Sequence, residues 1–205
     1  IPSDAFTLPS IQLFLSLCFV AMACILMGAG LPTTALYIML VSVAQPALSQ
    51  LGVPPLASHM FVLYYGVMSE ITPPVCASAY AAAGIAGANP FRTGLSAFSM
   101  GLGKLMVPMV FVYAPTMLIV LPEYYSLSSF LQVSITCGIG VFTIATAVAN
   151  YFAAPLGTPL RIIMAIAGLL LVAPSGTSDI IGICIVLPVL GLQILMNRRR
   201  PSATV

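Results

Sequence analysis

The sequence predicts an all-α fold: a polytopic helical membrane protein with a re-entrant hairpin and a discontinuous helix, followed by additional C-terminal transmembrane helices. Three observations predict it. Of 205 residues, 60% are hydrophobic and 5% are charged, whereas a soluble domain carries about 25% charged residues. A soluble fold of this length could not cover its surface with so few charges, so lipid must solvate most of it. The apolar residues also fall in long runs, near 10–28, 34–50, 56–70, 75–88, 95–121, 125–152, 158–174 and 179–196. Finally, the first four runs form two pairs, each interrupted by turn chemistry: MGAGLPTT at 27–34 and EITPPV at 70–75.

The first pair cannot be one straight helix. At about 1.5 Å per residue, 10–50 would reach about 60 Å, twice the hydrocarbon thickness. It is read as the hairpin, with Gly28-Ala29-Gly30-Leu31-Pro32 at its tip. The second pair, 56–88, is shorter and is read as a single crossing broken at mid-depth. GIAGANP at 84–90 reads as a helix end followed by a turn into Pro90. The segments 95–121, 125–152 and 179–196 are long enough to cross, and 158–174 only just. PSGTSD at 174–179 reads as an outer loop, with Asp179 capping the last helix. Two domains follow: 1–121, with the hairpin, broken helix and 95–121 helix, and 122–205, the C-terminal helices with a basic tail.

Orientation follows from the basic residues. Arg198, Arg199 and Arg200 place the tail inside, and counting backward puts Asp179 outside, Arg161 inside, Glu123 outside, and Arg92 and Lys104 inside. Asp4, with no basic neighbour, favours an outside start. An odd number of crossings between residue 5 and Arg92 requires one pair to be re-entrant.

Other classes are excluded. A net charge of +2 is too small to argue for nucleic acid. The five cysteines (Cys18, Cys24, Cys76, Cys137, Cys184) lie in apolar runs without a metal-ligand spacing. No signal peptide is read at Ile1-Pro2-Ser3, and the missing initiator Met suggests a fragment or processed chain. No histidine is available to activate the serines of PSGTSD as nucleophiles.

The breaks carry the chemistry. Freed backbone groups are tolerated in a membrane only when buried in protein or lining a watery cavity. Gly28 and Gly30 permit unusual backbone, and Pro32, Pro73 and Pro74 remove donors. Carbonyls and the hydroxyls of Thr33, Thr34, Ser69 and Thr72 suit a hard cation such as Na⁺. Half-helix N-termini suit a carboxylate. Paired broken helices point to a secondary transporter site. An ionised Glu70 at mid-membrane costs several kcal/mol and ordinarily serves function. Four roles are open to it: coordinating Na⁺, carrying a coupling proton, pairing with a cation elsewhere, or bonding backbone freed at the break. His59 reads as an interfacial residue or helix-end partner. Lys104 reads as reaching toward the inner face, with pairing to Glu70 as the alternative. Tyr64, Tyr65, Tyr80 and Tyr113 read as packing residues.

MGAGLPTTALYIML and FVLYYGVMSEITPPVCASAYAAAGIAGANPFRTG resemble the membrane subunit of TRAP transporters, over about residues 10 to 121. The likeness is closest to fused 4TM/12TM permeases that work with TAXI-type binding proteins. The resemblance implies an elevator-type ion transporter with two inverted repeats, of which 1–121 is the second-repeat transport unit. It implies cation-coupled uptake (Na⁺ or H⁺) of organic acids delivered by a periplasmic substrate-binding protein. It also implies a bacterial or archaeal cytoplasmic (inner) membrane. An N-terminal repeat and a small membrane subunit, fused or separate, are the further partners. Carried over residue by residue, the cation and substrate site comprises Gly28, Gly30, Pro32, Thr33 and Thr34 at the hairpin, and Thr72, Pro73, Pro74 and Val75 at the break. Cys76 stands where many members have Gly. Two other classes remain: an intramembrane enzyme, disfavoured because no catalytic pair shares a depth, and a non-transporting assembly subunit or incomplete fragment.

Overall fold

A computed structural model describes residues 8–28, 30–173 and 176–198, with side chains described for 12–28, 30–173 and 176–193. Asp4, Ala29 of the hairpin tip, Pro174 and Ser175 of the outer loop, Arg199, Arg200 and the side chain of Arg198 therefore lie outside the described residues. The chain is all helical among those residues, and it divides into two compact units, 1–130 and 131–205.

In the first unit, α1 (Leu8–Met27) and α2 (Thr33–Gln50) form the two arms of a hairpin turned at 28–32. The helix α3 (Pro55–Met68) follows a turn at Gly52 and begins with proline at its first position, where the missing N–H costs nothing. Leu36, Leu40, Ala44 and Leu48 make an i, i+4 stripe along one face of α2. That stripe, with Leu17, Ala21 and Cys24 of α1, closes on Ala57, Phe61, Val62 and Tyr65 of α3 to form the core. The helix α3 is thus the spine onto which both hairpin arms pack. Tyr37 Oη and His59 Nδ1 lie 2.7 Å apart and join α2 to α3 by a hydrogen bond, making His59 a helix-to-helix partner.

After α3 the chain tightens into a 3-10 turn, Ser69–Ile71, breaks at 72–76, and resumes as α4 (Ala77–Ala86). Asn89 caps α5 (Pro90–Gly101) by accepting from the Arg92 N–H at 3.1 Å. The predicted 95–121 helix differs from what forms. It starts at Pro90, loosens to a 3-10 stretch at Leu102–Met106, and resumes as α6 (Val107–Tyr113). Gly101, Gly103 and Pro108 weaken the ladder there, and Tyr65 Oη donates to the Leu105 carbonyl at 2.6 Å. The helix stops before Ala114-Pro115, since a residue preceding proline is pushed out of helical backbone. Lys104 is exposed within the 3-10 stretch.

The second unit is built from α7 (Leu127–Ala149, whose first turn belongs to the first unit), α8 (Thr158–Val172) and α9 (Gly176–Arg198). Among the described residues, three segments are long and apolar enough to cross a membrane: Pro90–Tyr113 with 24 residues, Leu127–Ala149 with 23, and Gly176–Gln193 with 18. At 15 residues, α8 is shorter than the 158–174 run, because Ala173 precedes Pro174 and turns extended. Asp179 does not cap α9, which already begins at Gly176; its carboxylate instead accepts from Gln132 Nε2 at 3.0 Å.

Small residues set the helix approach in this unit. A Cβ on Gly168 would come within 2.6 Å of Ile144 Cγ1 and 3.0 Å of the Gly140 carbonyl. A Cβ on Gly140 would in turn come within 3.0 Å of the Gly168 carbonyl. Between helices that gain nothing from hiding apolar surface from lipid, such close contact is the main source of adhesion. Gly138, on the same helix as Gly140, has open space around it. Gly168→Ala is therefore expected to destabilise the protein by about 1–3 kcal/mol through overpacking against backbone. Gly138→Ala should leave the apparent melting temperature in detergent unchanged or slightly raised. Equal melting of the two variants would refute the glycine contact.

Candidate functional site

The two interrupted segments meet. On the hairpin side, the Gly28 N–H still donates to the Cys24 carbonyl at 3.0 Å, after which the chain leaves the helix. Gly30 takes φ +87°, and Pro32 is extended at ψ 134°. The helix α2 then begins at Thr33, with Leu36 N–H donating to the Pro32 carbonyl at 3.0 Å. On the other side, Thr72 is extended at φ −95°, ψ 121°, as its position before Pro73 requires. The Pro73–Pro74 peptide is cis. Cys76 sits at φ 21°, a left-handed backbone position that glycine adopts more easily. From there α4 starts at Ala77.

Glu70 lies between the two restarts. Thr33 Oγ1, on the first residue of α2, donates to Glu70 Oε1 at 2.6 Å. Ser78 Oγ, on the second residue of α4, donates to Glu70 Oε2 at 3.0 Å. Among the described residues, both hydrogen bonds the carboxylate accepts thus come from hydroxyls at helix starts. A helix N-terminus carries roughly half a positive charge from its unsatisfied N–H groups. The carboxylate is placed where two such ends converge, and both of its hydrogen-bond partners are hydroxyls, not basic side chains.

Close packing holds the arrangement. Gly28 is buried against Ser69: an added Cβ would overlap Ser69 Oγ, approach Ser69 Cβ to 2.6 Å and the Cys24 carbonyl to 2.8 Å. Ser69 is itself buried and donates to the Gly66 carbonyl at 2.6 Å. The helix α5 backs the break through two glycines seven residues apart. A Cβ on Gly94 would meet Cys76 Sγ at 2.6 Å, and one on Gly101 would meet Ile71 Cδ1 at 2.7 Å.

A cavity of about 280 Å³ opens beside the carboxylate. Gly28, Gly30, Leu31 and Pro32 line it from the hairpin, Ser69 and Glu70 from the 3-10 turn, and Ala77 and Ser78 from α4. Of the predicted site residues, Gly28, Gly30, Pro32, Ser69 and Glu70 line this cavity, and Thr33 bonds its carboxylate. Val75 approaches Gly30, its Cγ1 3.9 Å from where a Cβ would stand. Thr34, Thr72, Pro73 and Pro74 are outside the lining.

The freed carbonyls at the break are largely satisfied. That of Thr72, expected to be free, accepts from the Cys76 N–H at 3.3 Å, while the Thr72 hydroxyl donates back to the Met68 carbonyl at 2.7 Å. That of Pro74 accepts from Tyr80 Oη at 2.7 Å, so this hydroxyl serves the backbone of the break, where packing or a substrate bond was expected. Ser78, which sequence reasoning did not name, bonds the carboxylate and lines the cavity. Its signal was a hydroxyl in the first turn after the break, on the helix end facing the only acid nearby. No group of three or more His, Cys, Asp or Glu side chains able to hold a metal occurs among the described residues.

The sequence profile of the family described as "Tripartite ATP-independent periplasmic transporter, DctM component" matches residues 3–124, more than half of the chain and nearly all of the first unit. Neither a curated protein nor a solved structure matches.

Hydrogen bonds to charged groups contribute about 1.5–3 kcal/mol. Thr33→Val is therefore expected to lower the unfolding free energy by about that amount, and Ser78→Ala, with its longer and exposed bond, by less. In a double-mutant cycle with Glu70→Gln, the Thr33 cost should shrink, because the partner is then uncharged. A strictly additive cycle would show that the Thr33–Glu70 bond carries no stability.

Proposed function

The chain belongs to the DctM component family of tripartite ATP-independent periplasmic transporters, and from that premise we propose that it is the membrane permease subunit of a binding-protein-dependent secondary transporter. It is a multi-pass membrane protein of a transporter family, not an enzyme family. The proposed activity is cation-coupled uptake of organic acids by an elevator movement, with Na⁺ or H⁺ as coupling ion. The observation that carries this reading is the meeting of both helix breaks at one carboxylate beside a cavity. Irregular backbone at membrane depth is tolerated where it lines such a space, and paired discontinuous helices mark substrate and ion sites.

Glu70, Thr33 and Ser78 supply carboxylate and hydroxyl oxygens of the kind a small hard cation takes. Ser69, Gly28, Gly30, Pro32 and Val75 shape the space around them, and Thr72, Pro73 and Pro74 hold the break open. A periplasmic substrate-binding protein, of the TAXI type by resemblance, delivers the acid. A further repeat and a small membrane subunit, fused or separate, supply the remaining contacts. The bacterial or archaeal inner membrane is the proposed location. The arginines at 198–200 favour a cytoplasmic C-terminus.

Uptake by the complete transporter, measured against Na⁺ concentration and pH, tests this reading. Glu70→Gln keeps the shape and removes the charge, so uptake should be lost or uncoupled at normal expression. Thr33→Val, which removes a hydroxyl bonded to that carboxylate, should weaken the Na⁺ dependence while the protein remains inserted. Cation-dependent uptake identical to wild type in both variants would sink the assignment, and no uptake by the wild-type assembly would favour an assembly subunit. A reporter fused after Val205 should be active on the cytoplasmic side; periplasmic activity would invert the proposed topology.

A further inference from the structure

We infer that Glu70 couples the cation to the acid by masking charge: while ionised and cation-free it occupies the two positive helix ends, and a cation bound to it frees them for a substrate carboxylate. This deepens the proposed function and rests on it.

Charge balance beside the cavity decides which anion the helix ends hold. The starts of α2 and α4 each present roughly half a positive charge, about one in total. Thr33 Oγ1 at 2.6 Å and Ser78 Oγ at 3.0 Å bring a single negative charge to those ends. The sum is close to zero, so the cavity offers an incoming anion no net attraction, and the resident carboxylate repels it directly. Both hydroxyls are also committed as donors to Glu70 and unavailable to another acceptor.

A cation at Glu70 changes both terms. The carboxylate becomes neutralised, and the hydroxyls can turn their lone pairs to the cation, since each carries two acceptor sites besides its proton. The helix ends then regain about one uncompensated positive charge. They border the cavity of about 280 Å³ whose hairpin wall is largely Gly28, Gly30 and Pro32, where backbone can approach a bound group closely. Linkage makes the effect reciprocal: the factor by which the cation raises acid affinity is the factor by which the acid raises cation affinity. A bridge that served only to hold the break would predict no such coupling, because glutamine can bond both hydroxyls.

The test uses radiolabelled acetate, a minimal carboxylate, and the purified full chain in detergent at constant ionic strength, in NaCl against choline chloride. In wild type, Na⁺ should strengthen acetate binding by about 5- to 150-fold, the usual range of such couplings. Glu70→Gln should bind acetate equally in both salts, at about the affinity of Na⁺-loaded wild type. Glu70→Asp, which keeps the charge, should keep the Na⁺ dependence. Monodispersity and melting temperature of each variant show whether it is folded; a misfolded Glu70→Gln leaves the decision to Glu70→Asp and to Na⁺ dependence in wild type, whose absence refutes the inference. Persistent Na⁺ dependence in folded Glu70→Gln refutes it, as does an absence of acetate binding in every protein. If uptake by the complete transporter is cation-coupled but acetate binding ignores Glu70, the masking fails and the transport reading stands. If masking is seen without uptake, the reverse holds.

Discussion

The first unit depends on one carboxylate bridging two helix starts. Without Glu70, the breaks at 28–32 and 72–76 would bring two like-signed helix ends and their unsatisfied N–H groups together. Such ends repel, and unpaired polar groups there cost several kcal/mol. With Glu70 between them, bonded to Thr33 and Ser78, the same geometry becomes attractive. The bridge thus joins two features that would each be unfavourable alone: a hairpin turned at its tip, and a helix interrupted beside it.

The bridge in turn depends on close backbone approach. Hydrogen bonds of 2.6 and 3.0 Å from short side chains require the tip to sit almost on the 3-10 turn. Gly28 allows this against Ser69, and Gly94 and Gly101 let α5 press on Cys76 and Ile71 from the other side. The stripe of Leu36, Leu40, Ala44 and Leu48 then locks α2 to α3, so that Thr33 is held at the end of a rigid arm. Core packing, small-residue contact and the polar bridge form one chain of cause. The leucine stripe aims the helix, the glycines set its distance, and the carboxylate closes the gap.

Much of this was legible in the sequence. Gly-Ala-Gly-Leu-Pro and Thr-Pro-Pro-Val mark the interruptions because glycine and proline act locally, and α7, α8 and α9 follow from apolar run length alone. Run length failed over 95–121, where Gly101, Gly103, Pro108 and Pro115 override an apolar pattern that continues through them. What a sequence cannot display is which freed group finds which partner. The Thr72 carbonyl is taken by the Cys76 N–H, and the Pro74 carbonyl by Tyr80, because the chain folds back on itself within a few residues. Ser78 was overlooked for a related reason: its importance lies in the direction of the α4 axis, which only tertiary structure reveals. Glu70 stood out because a charge in an apolar run is expensive wherever it points.

Asp179 and Glu70 are two carboxylates near helix starts in different surroundings. Both acids lie close to the N-terminus of a helix and both accept a hydrogen bond from another helix. Asp179 is 6% exposed, and its Oδ1 is buried without a hydrogen-bond partner among the described residues. Its bond to Gln132 ties α9 to α7. Glu70 is half-buried, uses both oxygens, and faces open volume. A site that must load and unload needs an ion whose contacts can be exchanged for those of a ligand. Hydroxyls meet that need, since they donate to an anion in one state and accept from a cation in the other. The two carboxylates therefore differ less in charge than in partners: for Glu70 these are the hydroxyls of Thr33 and Ser78 beside a cavity, and for Asp179 an amide on a buried acid.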